Sequence, residues 1–185
     1  MTRAKCVAVF AGLAWGCGLA SAAVPVRSSE ATARVHVRVE PQIAVSEPQV
    51  VVVELQDRWV GSPIPSQVRF SIRANTRQVE LQVACTDLCK AGNPTSAYKI
   101  PVAQSGVEIA SENESHSLAW LHDPPTGILP AGWSGEASEV GIFAASSGDT
   151  FNQSVTVNVS WQSMDLDLPT GQYCGIVKLI AMVGP

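Results

Sequence analysis

Residues 68–83 read VRFSIRANTRQVELQV. Val68, Phe70 and Ile72 alternate with Arg69, Ser71 and Arg73, and beyond Ala74, Asn75 and Thr76 the alternation resumes with Val79, Leu81 and Val83 against Glu80 and Gln82. A period of two places all six apolar side chains on one side of an extended backbone. The pattern predicts a β-hairpin whose two strands present one apolar face to the same core. Working outward, Pro41 and Pro48 bracket the short run Ile43 to Val45, and Val50 to Leu55 is nearly continuously apolar, as expected of a strand covered on both faces. Gly61, Pro63 and Pro65 interrupt it. On the other side, a break at Ala91 to Ser96 leads into shorter strands at Tyr98 to Val102, Val107 to Ala110 and Ser117 to Leu121. The stretch from His122 to Gly135 carries Pro124, Pro125, Gly127, Pro130 and Gly132, which predicts a long irregular surface connection.

Two longer strands close the chain. Val155, Val157 and Val159 alternate with polar residues up to Trp161. After Pro169, Thr170 and Gly171 the last run goes from Tyr173 to Val183, with Val177, Leu179, Ala181 and Val183 on one side and Ile176, Lys178, Ile180 and Met182 on the other. A strand apolar on both sides belongs inside a sheet, not at an open edge. No helical period of 3.6 is sustained for three turns, so the class is all-β, and the expected architecture is a two-sheet sandwich of immunoglobulin type.

Ahead of these strands lies a leader. Arg3 and Lys5 precede the apolar run Val7 to Leu19 and the small residues Ala20 to Ala23, the layout of an export signal at residues 1–22 that is cut away. The run is shorter than the roughly 20 residues needed to span a bilayer, and the mature chain has no longer one. Trp15 also sits where a lipoprotein signal ending at Cys17 would carry a small residue. Twelve basic residues, less Arg3 and Lys5, stand against sixteen acidic ones, leaving the mature chain at a net −6 with no basic cluster; nucleic acid is not an expected partner. Of five cysteines, Cys85, Cys89 and Cys174 remain after the leader is removed, an odd number for an oxidising compartment. Cys85 and Cys89 can bridge across a tight turn if the backbone bends, and either one can instead pair with Cys174.

A search for converging chemistry finds little. The mature chain carries no GxSxG, HExxH, Walker or GxGxxG motif, so no catalytic or cofactor-binding residue is named and no enzyme is expected. His36 faces water on a strand, His116, His122 and Asp123 lack further ligands nearby, and Asp165 and Asp167 read as solvated turn carboxylates, so no metal site is assigned. Among the tryptophans, Trp161 reads as core, while Trp133, in the Gly/Pro-rich connection, is the candidate exposed contact.

The first segment of the mature chain is "ARVHVRVEPQIAV", residues 33–45, in which Ala33, Val35, Val37 and Val39 alternate with charged or polar residues, a strand with no obvious partner. Together with "VRFSIRANTRQVELQV" and the ending "LPTGQYCGIVKLIAMVGP", it resembles bacterial fimbrial subunits of the alternate-chaperone, colonization-factor type, and the spore-coat-like pilins of the archaic chaperone class share a similar ending. The resemblance implies an incomplete sandwich over residues 41–185, preceded by an extension at 23–40, with export through the periplasm to a cell-surface fimbrium used in adhesion. It implies a periplasmic chaperone, an outer-membrane usher and neighbouring subunits as partners, with head-to-tail polymerisation by donor-strand exchange. By position, Ala33, Val35, Val37 and Val39 would be donor side chains, and Tyr173, Val177, Leu179, Ala181 and Val183 would line the acceptor groove. The three cysteines and the Pro-rich connection have no counterpart in that family. A self-contained secreted binding module is the alternative reading.

Overall fold

A computed structural model of the chain describes residues 40–47, 49–55, 61–121, 123–164 and 167–183. These residues form twelve strands and no helix, and belong to one compact unit, Val39–Pro185. One sheet has the order β1 (Ile43–Val45), β3 (Ile64–Ala74), β11 (Phe151–Trp161), β7 (Val107–Ala110), β8 (Ser115–Leu118). The second runs β10 (Gly141–Ala144), β4 (Gln78–Thr86), β12 (Gly171–Met182), β5 (Leu88–Lys90), β6 (Lys99–Ile100); β2 (Gln49–Leu55) pairs with β12, and β9 (Gly135–Ala137) with β4. Every pairing between these strands is antiparallel. The all-β expectation is met, with two sheets sharing one core.

The core is built from the alternation seen in the sequence. Phe70 and Ile72 from β3, Val155 and Val157 from β11, Leu81 and Val83 from β4, and Tyr173 and Val177 from β12 are all buried in a single cluster. Trp161, at the end of β11, is fully buried and donates its indole N–H to the Thr86 carbonyl at 2.9 Å, so burial leaves its polar edge satisfied.

The predicted hairpin at 68–83 is corrected. β3 and β4 do not pair: β3 lies between β1 and β11, β4 lies between β10 and β12, and the chain crosses from one sheet to the other between them. The apolar faces do meet, but across the core. The connecting residues explain why the turn does not close a hairpin. Asn75 turns its side chain outward, accepting from the Gln42 N–H and donating to the Glu40 carbonyl at 2.9 Å, and the Thr76 hydroxyl donates to the Gln78 carbonyl. β3 meanwhile finds a longer ladder elsewhere, pairing with β11 along its whole length from Ile64 to Ala74.

β2 is corrected as well. Val51 is buried, but Val50 and Val52, on the outer face of the sheet, are 68% and 57% exposed, and β2 has β12 on one side and no strand on the other among the described residues. Continuous apolarity there marks an edge strand with a bare outer face, not a strand covered on both faces. Among the described residues, the connection after Leu121 holds no strand up to β9, as expected.

Candidate functional site

β12 decides what this sandwich can do at its margin. Its inward side chains Tyr173 and Val177 are fully buried, Leu179 is 6% exposed, and Ala181 and Val183 are half-buried. The strand is interior, as its two apolar faces predicted: β2 pairs with residues 171–177 on one side, and β4 and β5 pair on the other. The pairing with β2 stops at Val177, whereas β4 continues to Met182. Among the described residues, the edge of β12 from Lys178 to Met182 that faces away from β4 therefore carries no paired strand. Beside it lies β1 of the other sheet, whose Ile43 and Val45 are only partly covered although packed against the core. The residues proposed for the acceptor groove thus separate into two sets. Tyr173 and Val177 sit where β2 already fills the edge, and Leu179, Ala181 and Val183 sit where it is open.

The opposite margin is clasped. Glu114 accepts the Ala144 N–H with one carboxylate oxygen and meets His116 Nε2 with the other at 3.2 Å, tying β8 to β10 across the two sheets. Gln153 of β11 donates to the Ala144 carbonyl at 3.0 Å and accepts from the Glu112 N–H at 3.2 Å. The His116 ring packs edge-on against Phe143, 4.6 Å between centroids. No side-chain hydrogen bond between the β1 and β12 residues is found at the open margin among the described residues.

A bulge shapes the middle of β12. Val177 pairs with Cys85 and Cys174 with Cys89, so four steps on one strand oppose three on the other around Thr86, Asp87 and Leu88. The Thr86 hydroxyl accepts the Ile176 N–H at 2.8 Å in place of a ladder carbonyl. Asp87 accepts from the Val102 N–H at 3.2 Å and donates its own N–H to the Ser134 carbonyl at 2.8 Å. Gly175 lies opposite the bulge, where an added Cβ would sit 2.8 Å from Leu88 Cδ2. Gly135 backs the same point: a Cβ there would come within 2.1 Å of the Cys85 carbonyl oxygen. Sequence reading missed this bulge, although a lone glycine inside the apolar run 173–183 was its signal.

The cysteines fall on two faces. Cys85 lies in the core cluster, fully buried, and burial together with the nearby Asp87 charge pushes its thiol far above the ordinary range. Cys89 follows the core residue Leu88 and faces the other side of the sheet, opposite Cys174. Cys85 and Cys89, the candidate bridge, lie on opposite faces of the sheet on either side of the bulge, whereas Cys89 and Cys174 are direct partners across the ladder.

Other candidates bring no reacting groups together. A groove of about 610 Å³ on the first sheet includes Gln67, Glu108 and Asn158. Its polar groups satisfy one another: Gln67 donates to Asn158, Asn158 to Glu108 at 3.0 Å, and Ser115 to Glu108 at 2.7 Å. Those two donors hold the Glu108 carboxyl below the usual carboxylate range. Trp133 is half-buried, its backbone N–H bonded to the Pro130 carbonyl. Trp120 donates its indole N–H to the Ala103 carbonyl. Among the described residues no group of three metal-ligating side chains converges, and no helix is long and apolar enough to cross a membrane. The donor residues Ala33, Val35, Val37 and Val39, the leader, His36, His122 and Asp165 lie outside the described residues. Compared with known proteins, the chain matches no family model, no curated protein and no solved structure.

Proposed function

We propose that the chain is a structural fimbrial subunit, exported to the periplasm and polymerised head to tail by donor-strand exchange with the help of a chaperone and an usher, in fibres that support surface adhesion. The observation that carries the reading is the margin at β12: the strand ends beside the partly covered apolar residues Ile43, Val45 and Ala181, with its edge from Lys178 to Met182 unpaired among the described residues. An incoming strand would add to that edge through main-chain hydrogen bonds while alternate side chains enter the core. Ala33, Val35, Val37 and Val39 of a neighbouring copy have the spacing for this. Each valine covered is worth about 1.5–3 kcal/mol before entropy costs. The sandwich would then be an immunoglobulin-like fold completed in trans, and a contact of this head-to-tail kind extends without closing. Since β2 already pairs with 171–177, the donor either adds along 178–183 alone or displaces β2, whose Val50 and Val52 are largely exposed.

The test is removal of residues 31–40 followed by polymerisation with the cognate chaperone and usher. Fibre formation should be abolished; undiminished fibres would defeat the proposal. The second reading, a self-contained secreted binding module, draws on the same pairing of β2 with β12, which closes half of the margin within one chain. A purified chain that is monomeric, stable and chaperone-independent would favour it.

A further inference from the structure

We propose that Cys89 and Cys174 form a cross-strand disulfide stapling β5 to β12, and that Cys85 is the cysteine left over. The two residues are direct antiparallel partners, so their side chains project from the same face of the sheet. The ladder phase sets their separation. The Ala91 N–H donates to the Gln172 carbonyl at 2.8 Å, which makes 172 and 91 a hydrogen-bonded pair and, two residues on, makes 174 and 89 one as well. Such pairs have Cα atoms about 5.5 Å apart, inside the range that a disulfide spans, while their Cβ atoms stand wider than in a non-hydrogen-bonded pair, so closure draws the two side chains together across the ladder.

The surroundings favour closure of this pair over any other. The turn after β5 enters left-handed backbone at Ala91 and Gly92, with φ of 55° and 67°, and folds back over the partner strand, so that a Cβ on Gly92 would lie 3.5 Å from Cys174 Cβ. Cys89 is fully covered, and its thiol reaches only the Asp87 carbonyl, at 3.8 Å. Cys174 remains partly exposed and is where an oxidant can enter. Cys85, on the core face in register with Val177, can reach neither thiol without turning the strand over. The odd count of three is thereby resolved within one chain. β5 has only three residues and meets β12 at two, so it is the element that gains most from a covalent tie.

The chemistry is thiol–disulfide exchange with an external disulfide as oxidant. The Cys174 thiolate attacks one sulfur of that disulfide, forming a mixed disulfide and releasing one thiol. The Cys89 thiolate then attacks Cys174 Sγ, forming the protein S–S bond and releasing the second thiol. Two electrons and the two cysteine protons end on the reduced oxidant. The proposal does not depend on the fimbrial reading, since it concerns the fold of a single chain.

The experiment exposes the reduced full-length chain to oxidised glutathione, blocks remaining thiols, digests without reduction and maps the linked peptides. The expected product joins the peptide of Cys89 to that of Cys174, persists in Cys85→Ser and disappears in Cys174→Ser. Thermal unfolding of Cys85→Ser should fall by several degrees when reductant is added. A Cys85–Cys89 link, a dimer bridged through Cys174, or a glutathione adduct on Cys174 that never resolves would each overturn the proposal. If Cys174→Ser fails to fold, the peptide map of the unsubstituted chain decides alone.

Discussion

At the residue scale, thiol chemistry here is governed by which face of a strand a cysteine occupies. A thiol must ionise to react, and burial disfavours the thiolate. Cys85 is surrounded by core and by the Asp87 charge, both of which raise its pKa, so it stays protonated through neutral and mildly alkaline pH. In the reduced, folded chain iodoacetamide at pH 8 should modify Cys174 first and leave Cys85 untouched until denaturant is added, as read by peptide mass. Labelling of Cys85 as fast as Cys174 would mean that the core opens readily. Thr86 is a second single-residue device. Its hydroxyl supplies the acceptor that the bulge removes from the ladder, and its carbonyl takes the Trp161 indole proton. Thr86→Val keeps the shape and loses the acceptor for the Ile176 N–H, and should destabilise the chain by about 1–3 kcal/mol in urea unfolding. No loss would show that the Ile176 N–H finds another partner.

At the scale of elements, the two margins of the sandwich differ in kind. One is locked by Glu114, just before β8, and Gln153 of β11, whose side chains reach the backbone of β10, and by His116 against Phe143. The other relies on partly covered apolar residues, with β1 and β2 splitting one stretch of chain between the two sheets. The sequence read these elements well wherever alternation was strong. β7 matches the expected span Val107 to Ala110, β12 lies within two residues of its expected bounds, and β11 ends at Trp161 as expected but begins four residues earlier, at Phe151. It missed β9 and β10: Gly135, Glu136 and Ala137 carry no apolar alternation, and Gly141 to Ala144 has only Ile142 and Phe143, adjacent to each other, as large apolar residues. It failed also at the partner of β3: alternation reports which face is buried, and a hairpin and a crossover between sheets bury the same face.

For the whole molecule, the question is whether the core is complete in one chain. On the fimbrial reading, a chain lacking residues 31–40 has an unfilled edge that a matching strand can occupy from outside. A synthetic peptide of residues 31–40 added to that chain should raise its unfolding temperature in a concentration-dependent way, by the linkage between binding and folding. The same peptide with Val35, Val37 and Val39 changed to Ser should not. An unchanged transition with both peptides would favour the self-contained module. The disulfide between β5 and β12 would be present in either case, since it ties elements that belong to one chain.

By itself, the sequence determined the class and the faces: a period of two, repeated in run after run, can bury its apolar side chains only in sheets, and the doubly apolar run at the end required an interior strand. It also showed that three cysteines cannot all pair within one chain. Only the tertiary structure decided which strand lies beside which, that β2 covers half of the edge of β12 and leaves the rest, and that Cys89 faces Cys174 while Cys85 points into the core. The physical reason is the same in each case. Side-chain periodicity is a local property of the backbone, whereas register, bulges and partners are set by ladders between residues far apart in the chain, and a one-residue bulge at Asp87 is enough to decide which thiol meets which.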